Sequence, residues 1–240
     1  MIYVTGDTHG DLTRFRKFRR LFGKKRDICI VCGDFGFVWN GSAHEKSILT
    51  RMSRLDCTIL FVEGTHDNLD LLADYPEEDF CGGRAHRVEK NILWLRRGDV
   101  FTLEGKTVLA LGGSESPDAD EREPHITWWP QEQPSVEDLQ RAFANLAAHD
   151  NQVDLIITHQ HPRIELGLID CRDERISALT AFLGDVNRTV RYGHWYFGCD
   201  HLDRSISRRM TAIFEQVVAV GDPCSPANAL PTLNSFSIAK

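Results

Sequence analysis

The sequence predicts an α/β fold in which reactive side chains collect at one edge of a parallel sheet. Five short apolar runs have the length and composition of buried strands, and each is followed by Asp, His or Cys beside Gly, Thr or Pro. The runs and the residues that follow them are 2–4 with Asp7 and His9, 28–32 with Asp34, 58–62 with His66 and Asp67, 155–157 with His159, and 192–197 with Cys199 and His201. Because parallel strands present their carboxyl ends on one edge, we expect these side chains to converge.

The first run leads into a Gly-Asp-Thr-His-Gly turn, after a strand that we expect to end at Thr5. Asp7 and His9 are two residues apart, so on an extended chain their side chains would point to the same side. A carboxylate and an imidazole are both ligands of divalent metals. Taken alone, the pair also fits a helix cap followed by a surface histidine. The metal interpretation therefore depends on the later segments.

Residues 12–22 form the first predicted helix, with apolar side chains at three- and four-residue spacing. Its other face is basic, and Lys and Arg recur along residues 14–26. Two interpretations stay open: a solvated helix face, or a basic patch for a phosphate-rich partner. Ser135 is a candidate cap for a later helix, with Asp138 three residues on. Further helices are predicted at 43–55, 69–73, 135–148 and 174–183.

The strand at 28–32 contains Cys29 and Cys32. On a strand at this spacing their side chains point to opposite faces, so we interpret both as core residues. The strand leads to Asp34. A carboxylate has two oxygens and can bridge two metal ions, so Asp34 is the natural shared ligand of a binuclear site.

Residues 91–111 are expected to form β structure with a hairpin turn at 104–106. The stretch 112–135 that follows has no regular pattern, and long irregular loops in compact domains are usually functional or disordered. Its two adjacent tryptophans argue against disorder. Two interpretations stay open: a lid that shapes a substrate pocket, in which Arg122 pairs with phosphate, or a structural cap whose tryptophans pack on the core.

Together these segments resemble the calcineurin-like metallophosphoesterases. The family blocks Asp-x-His, Gly-Asp, Gly-Asn-His-Asp/Glu, His and Gly-His-x-His have counterparts here in that order, between residues 7 and 201. The resemblance implies a single domain over residues 1–240, built as a central β-sandwich of two mixed sheets flanked by helices in four αββα layers. Residues 112–135 would form its lid-like loop. The opening block is most similar to the phosphoprotein-phosphatase branch of the family.

Two positions can be matched to the family blocks in more than one way. In the fourth block His159 lies nearer the strand end than His161 and matches the family's Thr-His pair, so we prefer it. The last block is either 193–196, with Tyr in place of the final histidine, or 198–201, with Cys199 in place of the first. We favour 198–201, because it places the ligands in a loop after the strand, as in the other blocks.

The resemblance implies two metal sites and a catalytic pair. Site one would consist of Asp7, His9, Asp34 and His201, and site two of Asp34, Thr65, His159 and Cys199. His66 would contact the substrate phosphate and help the leaving group depart, with Asp67 orienting it. Thr65 and Cys199 depart from the family's Asn and His, and both belong to site two. We therefore expect site two to be weakened, or shifted toward a softer ion that thiolate favours.

The activity implied is hydrolysis of a phosphomonoester or phosphodiester by in-line attack of a metal-bound hydroxide. Two divalent ions (Mn, Zn or Fe) would be the cofactors, and a weakened site two would impair the rate. The substrate would be a phosphorylated small molecule, a nucleotide or a phosphoprotein. Two other interpretations are a metal-binding or scaffold protein that has lost catalysis, and a nuclease that acts on DNA or RNA.

Composition bounds these interpretations. A hydrophobic content of 42% and a charged content of 26% are typical of globular proteins, and 240 residues can bury a substantial core. The formal charge of -7 disfavours a nucleic-acid partner. No apolar run approaches the roughly 20 residues that span a bilayer, and no basic and apolar leader precedes the first strand. Seven scattered cysteines fit reduced thiols, so we expect a cytoplasmic protein with no membrane partner.

Overall fold

Two β-sheets form the centre of the molecule in the computed structural model, which describes residues 1–21, 27–116, 118–162 and 177–221. The first sheet is mixed: its central strands are parallel, and antiparallel strands close both edges. In their order across this sheet the strands are β13 (Val217–Ala219), β1 (Ile2–Thr5), β2 (Asp27–Cys32), β3 (Cys57–Val62), β6 (Ile92–Leu95), β5 (Gly83–Glu89) and β4 (Glu77–Phe80).

The second sheet is also mixed, with four parallel strands between two antiparallel edge strands. In order they are β11 (Arg204–Ser207), β12 (Met210–Ala212), β10 (Arg191–Phe197), β9 (Gln152–Thr158), β8 (Lys106–Leu111) and β7 (Asp99–Leu103). The strands β7 and β8 form the hairpin that the sequence predicts.

Helices cover the outer faces of both sheets. They are α1 (Leu12–Leu21), α2 (Ala43–Met52), α3 (Leu69–Ala73), α4 (Val136–Ala148) and α5 (Ala178–Thr189). Side chains of α1, α2 and α3 share an apolar cluster with the first sheet, and those of α4 and α5 share one with the second. The predicted sandwich of two mixed sheets between helical layers is therefore confirmed.

A third apolar cluster fills the space between the sheets, so each central strand is buried on both faces. In β2, Ile30 and Cys32 point between the sheets, whereas Cys29 and Val31 point toward the helices. The two cysteines are fully buried on opposite faces, as expected. Burying an aliphatic side chain such as Ile30 or Val31 stabilises the fold by about 1.5–3 kcal/mol. This double-sided packing fixes where the loops at the strand ends begin.

Helix α4 begins where the sequence predicts, because Ser135 and Asp138 form a reciprocal capping box. The Ser135 side chain accepts from the Asp138 backbone N–H, and the Asp138 carboxylate accepts from the Ser135 backbone N–H at 3.0 Å. Helix α5 starts later and runs longer than the predicted 174–183. Its cap is Ser177, and residues 174–176 lie outside the described part of the chain.

Strands β4 and β5 were not predicted, because their sequences are rich in charge rather than in apolar residues. The two strands pair through opposite charges instead. Arg84 contacts Glu77 at 2.8 Å, and Arg87 binds Glu78. Such a charged strand at the edge of a sheet protects the edge from further pairing. The short strands β11 and β12 also escaped the sequence analysis.

The irregular stretch 112–135 contains two short 3-10 turns, Ala119–Glu121 and Pro130–Glu132, and residue 117 lies outside the described residues. Residues 22–26, which include the basic residues at 24–26, and the chain from 222 onward also lie outside them. Within the described ranges, no helix combines the length and the apolar character needed to cross a bilayer.

Candidate metal centre

Four of the predicted ligands meet where strands of both sheets end. Asp7 and His9 follow β1, Asp34 follows β2, and His201 follows β10. One ligand atom from each of the four lies within 4.8 Å of the corresponding atoms of the other three. The sandwich therefore brings together residues that are almost 200 positions apart in the sequence. These four residues are called the Asp7 cluster below.

The loops that carry the Asp7 cluster bend through unusual backbone conformations. His9, Asp34 and His201 have positive φ angles of 46°, 46° and 52°. Residues other than glycine rarely adopt this left-handed region, and such strain is concentrated at functional sites. The sequence correctly predicted that Asp7 and His9 converge, but for a wrong reason. The chain leaves its extended conformation after Thr5, and the turn at His9 brings the side chains together.

Two of the loops touch backbone to backbone. A Cβ added at Gly10 would lie 2.8 Å from the Gly36 carbonyl oxygen, and one added at Gly36 would lie 2.5 Å from the Gly10 nitrogen. Both glycines have a φ of 72°, so a side chain at either position would clash and add backbone strain. The backbone N–H groups of Thr8 and His9 donate to the Asp34 carbonyl oxygen. This contact fixes the first two ligand loops relative to each other.

Asp7 is buried, and neither of its carboxylate oxygens has a hydrogen bond among the described residues. Two imidazoles approach it: His201 Nε2 lies 3.1 Å from Oδ2, and His159 Nδ1 lies 3.6 Å from Oδ1. Burial opposes ionisation, but these two histidines hold the pKa of Asp7 below its ordinary value. A buried, charged carboxylate without hydrogen bonds is costly unless a cation pairs with it. The residues therefore fit a metal ion.

The two histidines of the Asp7 cluster aim their ring nitrogens at each other. His9 Nε2 and His201 Nε2 are 3.0 Å apart, and His9 Nε2 is 3.8 Å from Asp34 Oδ2. Burial lowers the pKa of His9, which favours the neutral form that binds metals. The His201 ring stacks on Phe214, with ring centroids 4.5 Å apart. Two imidazole nitrogens beside two carboxylates form a donor set typical of Zn, Mn or Fe.

Arg14 packs against Phe214, next to the Asp7 cluster, and does not belong to an exposed basic face. Its guanidinium lies over the Phe214 ring, and Nη2 donates to the Phe214 carbonyl oxygen and to Thr5 Oγ1. The first residue of the predicted basic stretch is thus turned inward. It braces Phe214, on which the ring of the metal-ligand candidate His201 rests.

Two of the ligands expected at site two, Asp34 and His159, lie close together. His159 Nε2 lies 3.8 Å from Asp34 Oδ1, and His159 Nδ1 donates to the Cys32 carbonyl oxygen at 3.0 Å. This second contact leaves Nε2 as the metal-binding nitrogen and fixes the ring. Burial alone would lower the pKa of His159, but Asp34 and Asp7 raise it to about 10. The hydroxyl of Thr65 lies 3.1 Å from His66 Nδ1, and Cys199 is grouped with two other residues, as described below.

His66 lies at the open side of the cluster and is held by Asp34. Its Nδ1 is 2.9 Å from Asp34 Oδ2, and its backbone N–H donates to Oδ1 at 2.7 Å. The hydrogen bond to Asp34 raises the pKa of His66, whereas the positive charge of Arg122 lowers it. The side chain remains 44% exposed. The second nitrogen, Nε2, is thus available to a bound molecule.

Asp67 is bonded to the backbone of the loops around the cluster. Its carboxylate accepts hydrogen bonds from the backbone N–H groups of Phe35, Gly36 and Gly64, at 3.1, 2.9 and 3.0 Å. Burial and the neighbouring charge of Asp34 raise the pKa of Asp67 to about 7, against the effect of the three N–H donors. Asp67 thus joins the loop after β2 to the loop after β3.

The stretch 112–135 is anchored by residues that the sequence analysis missed. Asp70 accepts hydrogen bonds from Trp129 Nε1 at 3.0 Å and from His125 Nδ1 at 2.8 Å. Arg97 binds the buried Glu63 carboxylate, and its Nη atoms donate to backbone carbonyls in this stretch. The sequence does contain one signal for this contact: Glu63 is a charged residue at the end of an apolar strand, where a partner of opposite charge is expected.

Arg122, the predicted phosphate-binding residue of this stretch, donates to Asp118 Oδ2 at 2.9 Å.

Comparison with known proteins identifies the class. A family model described as calcineurin-like phosphoesterase matches residues 1–214, so the chain belongs to the calcineurin-like phosphoesterase family. No curated protein matches the sequence. Among the solved structures that are similar to this chain is one provisionally described as a 5'-nucleotidase from Staphylococcus aureus, in complex with alpha-ketoglutarate. It shares 15% sequence identity with a TM-score of 0.49, and the alignment covers 91% of this chain and 50% of that one. The chain thus spans about half the length of that structure.

Proposed function

We propose that the protein is a metal-dependent hydrolase of phosphoric esters, with the Asp7 cluster as its first metal site. The single observation that carries the proposal is the convergence of Asp7, His9, Asp34 and His201 around a buried carboxylate without hydrogen bonds. Ions bound here would polarise phosphoryl oxygens and lower the pKa of a bound water. Mn, Zn and Fe all suit this donor set.

The second site is proposed at Asp34 and His159, with Thr65 and Cys199 at the two departing positions. Asp34 can serve both sites, because one oxygen faces His9 and the other faces His159. The hydroxyl of Thr65 is a weaker metal ligand than the amide oxygen of Asn, and it already contacts His66 Nδ1 at 3.1 Å. Site two is therefore proposed to bind its ion more weakly than site one, which would impair hydrolysis.

His66 is proposed as the group that protonates the leaving oxygen. Asp34 holds Nδ1, so Nε2 faces outward and carries the transferable proton in the imidazolium form. Asp67 is proposed to act through the backbone of the loops that it joins. The positive charge of Arg122 lowers the pKa of His66, so the two side chains are near each other. Arg122 is proposed to pair with the substrate phosphate. The substrate class is a phosphorylated small molecule, a nucleotide or a phosphoprotein.

Hydrolysis of p-nitrophenyl phosphate and bis-p-nitrophenyl phosphate tests the proposal. Chelator-treated protein should be inactive, and added manganese should restore turnover. His9→Ala should lower the manganese-dependent rate at least tenfold, whereas His44→Ala, a matched change at an exposed histidine on α2, should leave it unchanged. Absence of manganese-dependent turnover on both substrates would overturn the proposal.

A second candidate function is metal or ligand binding without catalysis. The observation that favours it is the altered pair Thr65 and Cys199, because both changes fall at one site. A protein of this kind would bind manganese at the Asp7 cluster and hydrolyse neither substrate. A nuclease function has less support, because Arg14 is turned into the fold and does not lie on a basic surface.

A further inference from the structure

A second group of metal-ligand side chains lies beside the Asp7 cluster. His161 follows β9, and Cys199 and Asp200 follow β10. One ligand atom from each lies within 4.8 Å of the corresponding atoms of the other two. The two loops are joined, because the backbone N–H groups of Gly198 and Cys199 both donate to the His159 carbonyl oxygen, at 3.2 and 3.1 Å. The backbone therefore holds the three side chains in place.

The second ring nitrogen of His161 faces this group. The side chain is only 9% exposed, and Nδ1 donates to the Pro162 carbonyl oxygen at 2.8 Å. In the neutral ring the proton is then on Nδ1, and Nε2 carries the lone pair that can bind a metal. Nε2 lies 3.5 Å from Asp200 Oδ2, a buried oxygen that has no hydrogen bond among the described residues. Two atoms of metal-ligand type thus face each other across a short gap.

The gap has the dimension of a tetrahedral metal site. Two ligands about 2.0–2.2 Å from a tetrahedral zinc ion are about 3.3–3.6 Å from each other. The distance of 3.5 Å between His161 Nε2 and Asp200 Oδ2 falls in this range.

We propose that His161, Cys199 and Asp200 bind a zinc-class ion at a site of their own, with a fourth coordination position open. A thiolate, an imidazole and a carboxylate form a donor set that favours zinc or cobalt over manganese. One thiolate and one carboxylate also balance the charge of a divalent ion, which suits a largely buried site. On binding, the Sγ–H bond breaks, an Sγ–metal bond forms, and the proton leaves to solvent.

The proposal reassigns Cys199 from the second site of the family to a neighbouring one. The backbone N–H of Cys199 donates to the His159 carbonyl oxygen, which ties Cys199 to the loop after β9. Such a hydrogen bond fixes the backbone that carries the ligand atom and supports metal binding. The site rests on the geometry of these three residues alone. It does not require that the Asp7 cluster hydrolyse phosphoric esters, and it needs no turnover to be detected.

Cobalt substitution tests the proposal, because a cobalt–thiolate bond gives a charge-transfer band in the near ultraviolet. Cobalt added to the metal-free protein should produce this band with a stoichiometry of one ion per chain. Cys199→Ser should abolish it, and His161→Ala or Asp200→Asn should weaken cobalt binding at least tenfold. Cys81→Ser, which removes an exposed cysteine, and His9→Ala, which removes a ligand of the Asp7 cluster, should both retain it.

Two results would overturn the proposal. One is the absence of the charge-transfer band in the unmodified protein at saturating cobalt. The other is a band that survives His161→Ala and disappears in His159→Ala, because the sulfur would then belong to the second site of the family. Circular dichroism of each metal-free variant identifies misfolding. If His161→Ala misfolds, His161→Gln provides the same comparison with a smaller change in volume.

Discussion

Asp34 accepts two hydrogen bonds from a single residue, His66: the backbone N–H lies 2.7 Å from Oδ1, and ring Nδ1 lies 2.9 Å from Oδ2. The same carboxylate belongs to the Asp7 cluster. A metal-ligand candidate and a proton-donor candidate are therefore fixed relative to each other by one side chain. This geometry predicts that His66 acts in proton transfer and not in metal binding.

His66→Ala should lower kcat for a substrate with a poor leaving group, such as phenyl phosphate, by about 10²–10⁴-fold, the usual contribution of a positioned acid. It should lower kcat for p-nitrophenyl phosphate much less, because p-nitrophenolate leaves without a proton. The metal content should not change. An equal loss on both substrates would show that His66 does not protonate the leaving group.

Asp7→Asn should remove most of the thermal stabilisation by manganese. A ligand present at 100 times its Kd stabilises a protein by about 2.7 kcal/mol, which raises Tm by about 5–11 °C for a chain of this size. The variant loses a buried charge that faces the site, so its manganese-dependent rise in Tm should approach zero. Asp56→Asn, at an exposed position, is the matched control. A manganese-dependent rise that Asp7→Asn leaves intact would exclude Asp7 as a ligand.

Arg122→Ala should raise KM for the phosphoric esters that the enzyme hydrolyses by about tenfold, since a hydrogen bond to a charged group is worth about 1.5 kcal/mol. Arg122 bonds to Asp118 through Nε, which leaves its other nitrogens for an anion. Arg54→Ala, at an exposed position, controls for the loss of positive charge. If KM is unchanged on every substrate that is hydrolysed, stretch 112–135 acts only as a structural cap.

Because His194 is partly buried, we expect the free energy of unfolding to fall in mild acid. Burial lowers the pKa of this histidine to about 4 in the folded protein, whereas its ordinary value in an unfolded chain is about 6.5. Protons therefore bind the unfolded chain more tightly, so the contribution of His194 is fully present above pH 6.5 and declines as pH falls toward 4. The free energy of unfolding of His194→Gln, from denaturant titrations across this window, should depend less steeply on pH. Identical pH slopes for the two proteins would contradict the assignment.

Local sequence patterns were sufficient to predict much of the fold and the position of the site. Ser135 and Asp138 were predictable as a helix start because a capping box is formed by neighbours in the sequence. Asp7 and Asp34 were predictable as site residues because each follows a buried strand. In both cases the information lies within a few residues, and the rule that parallel strands end on a common edge provides the long-range step.

Contacts that depend on loop conformation could not be predicted in this way. Asp67 follows His66 directly, yet it bonds to backbone groups of two loops, because the turn points its carboxylate inward. The ion pair of Glu63 and Arg97 joins residues 34 positions apart. Asp200 lies between two predicted ligands in the sequence, but its proximity to the His161 ring depends on how the loops after β9 and β10 meet.

The most direct test of a metal-dependent hydrolase is a manganese titration of the metal-free protein, with bound ions per chain and the hydrolysis rate of both p-nitrophenyl esters measured in the same samples. The Asp7 cluster predicts no turnover without metal, and a rate that rises as the first ion and then a weaker second ion bind. Binding of ions at saturating manganese without hydrolysis of either ester would contradict this account and favour a binding protein.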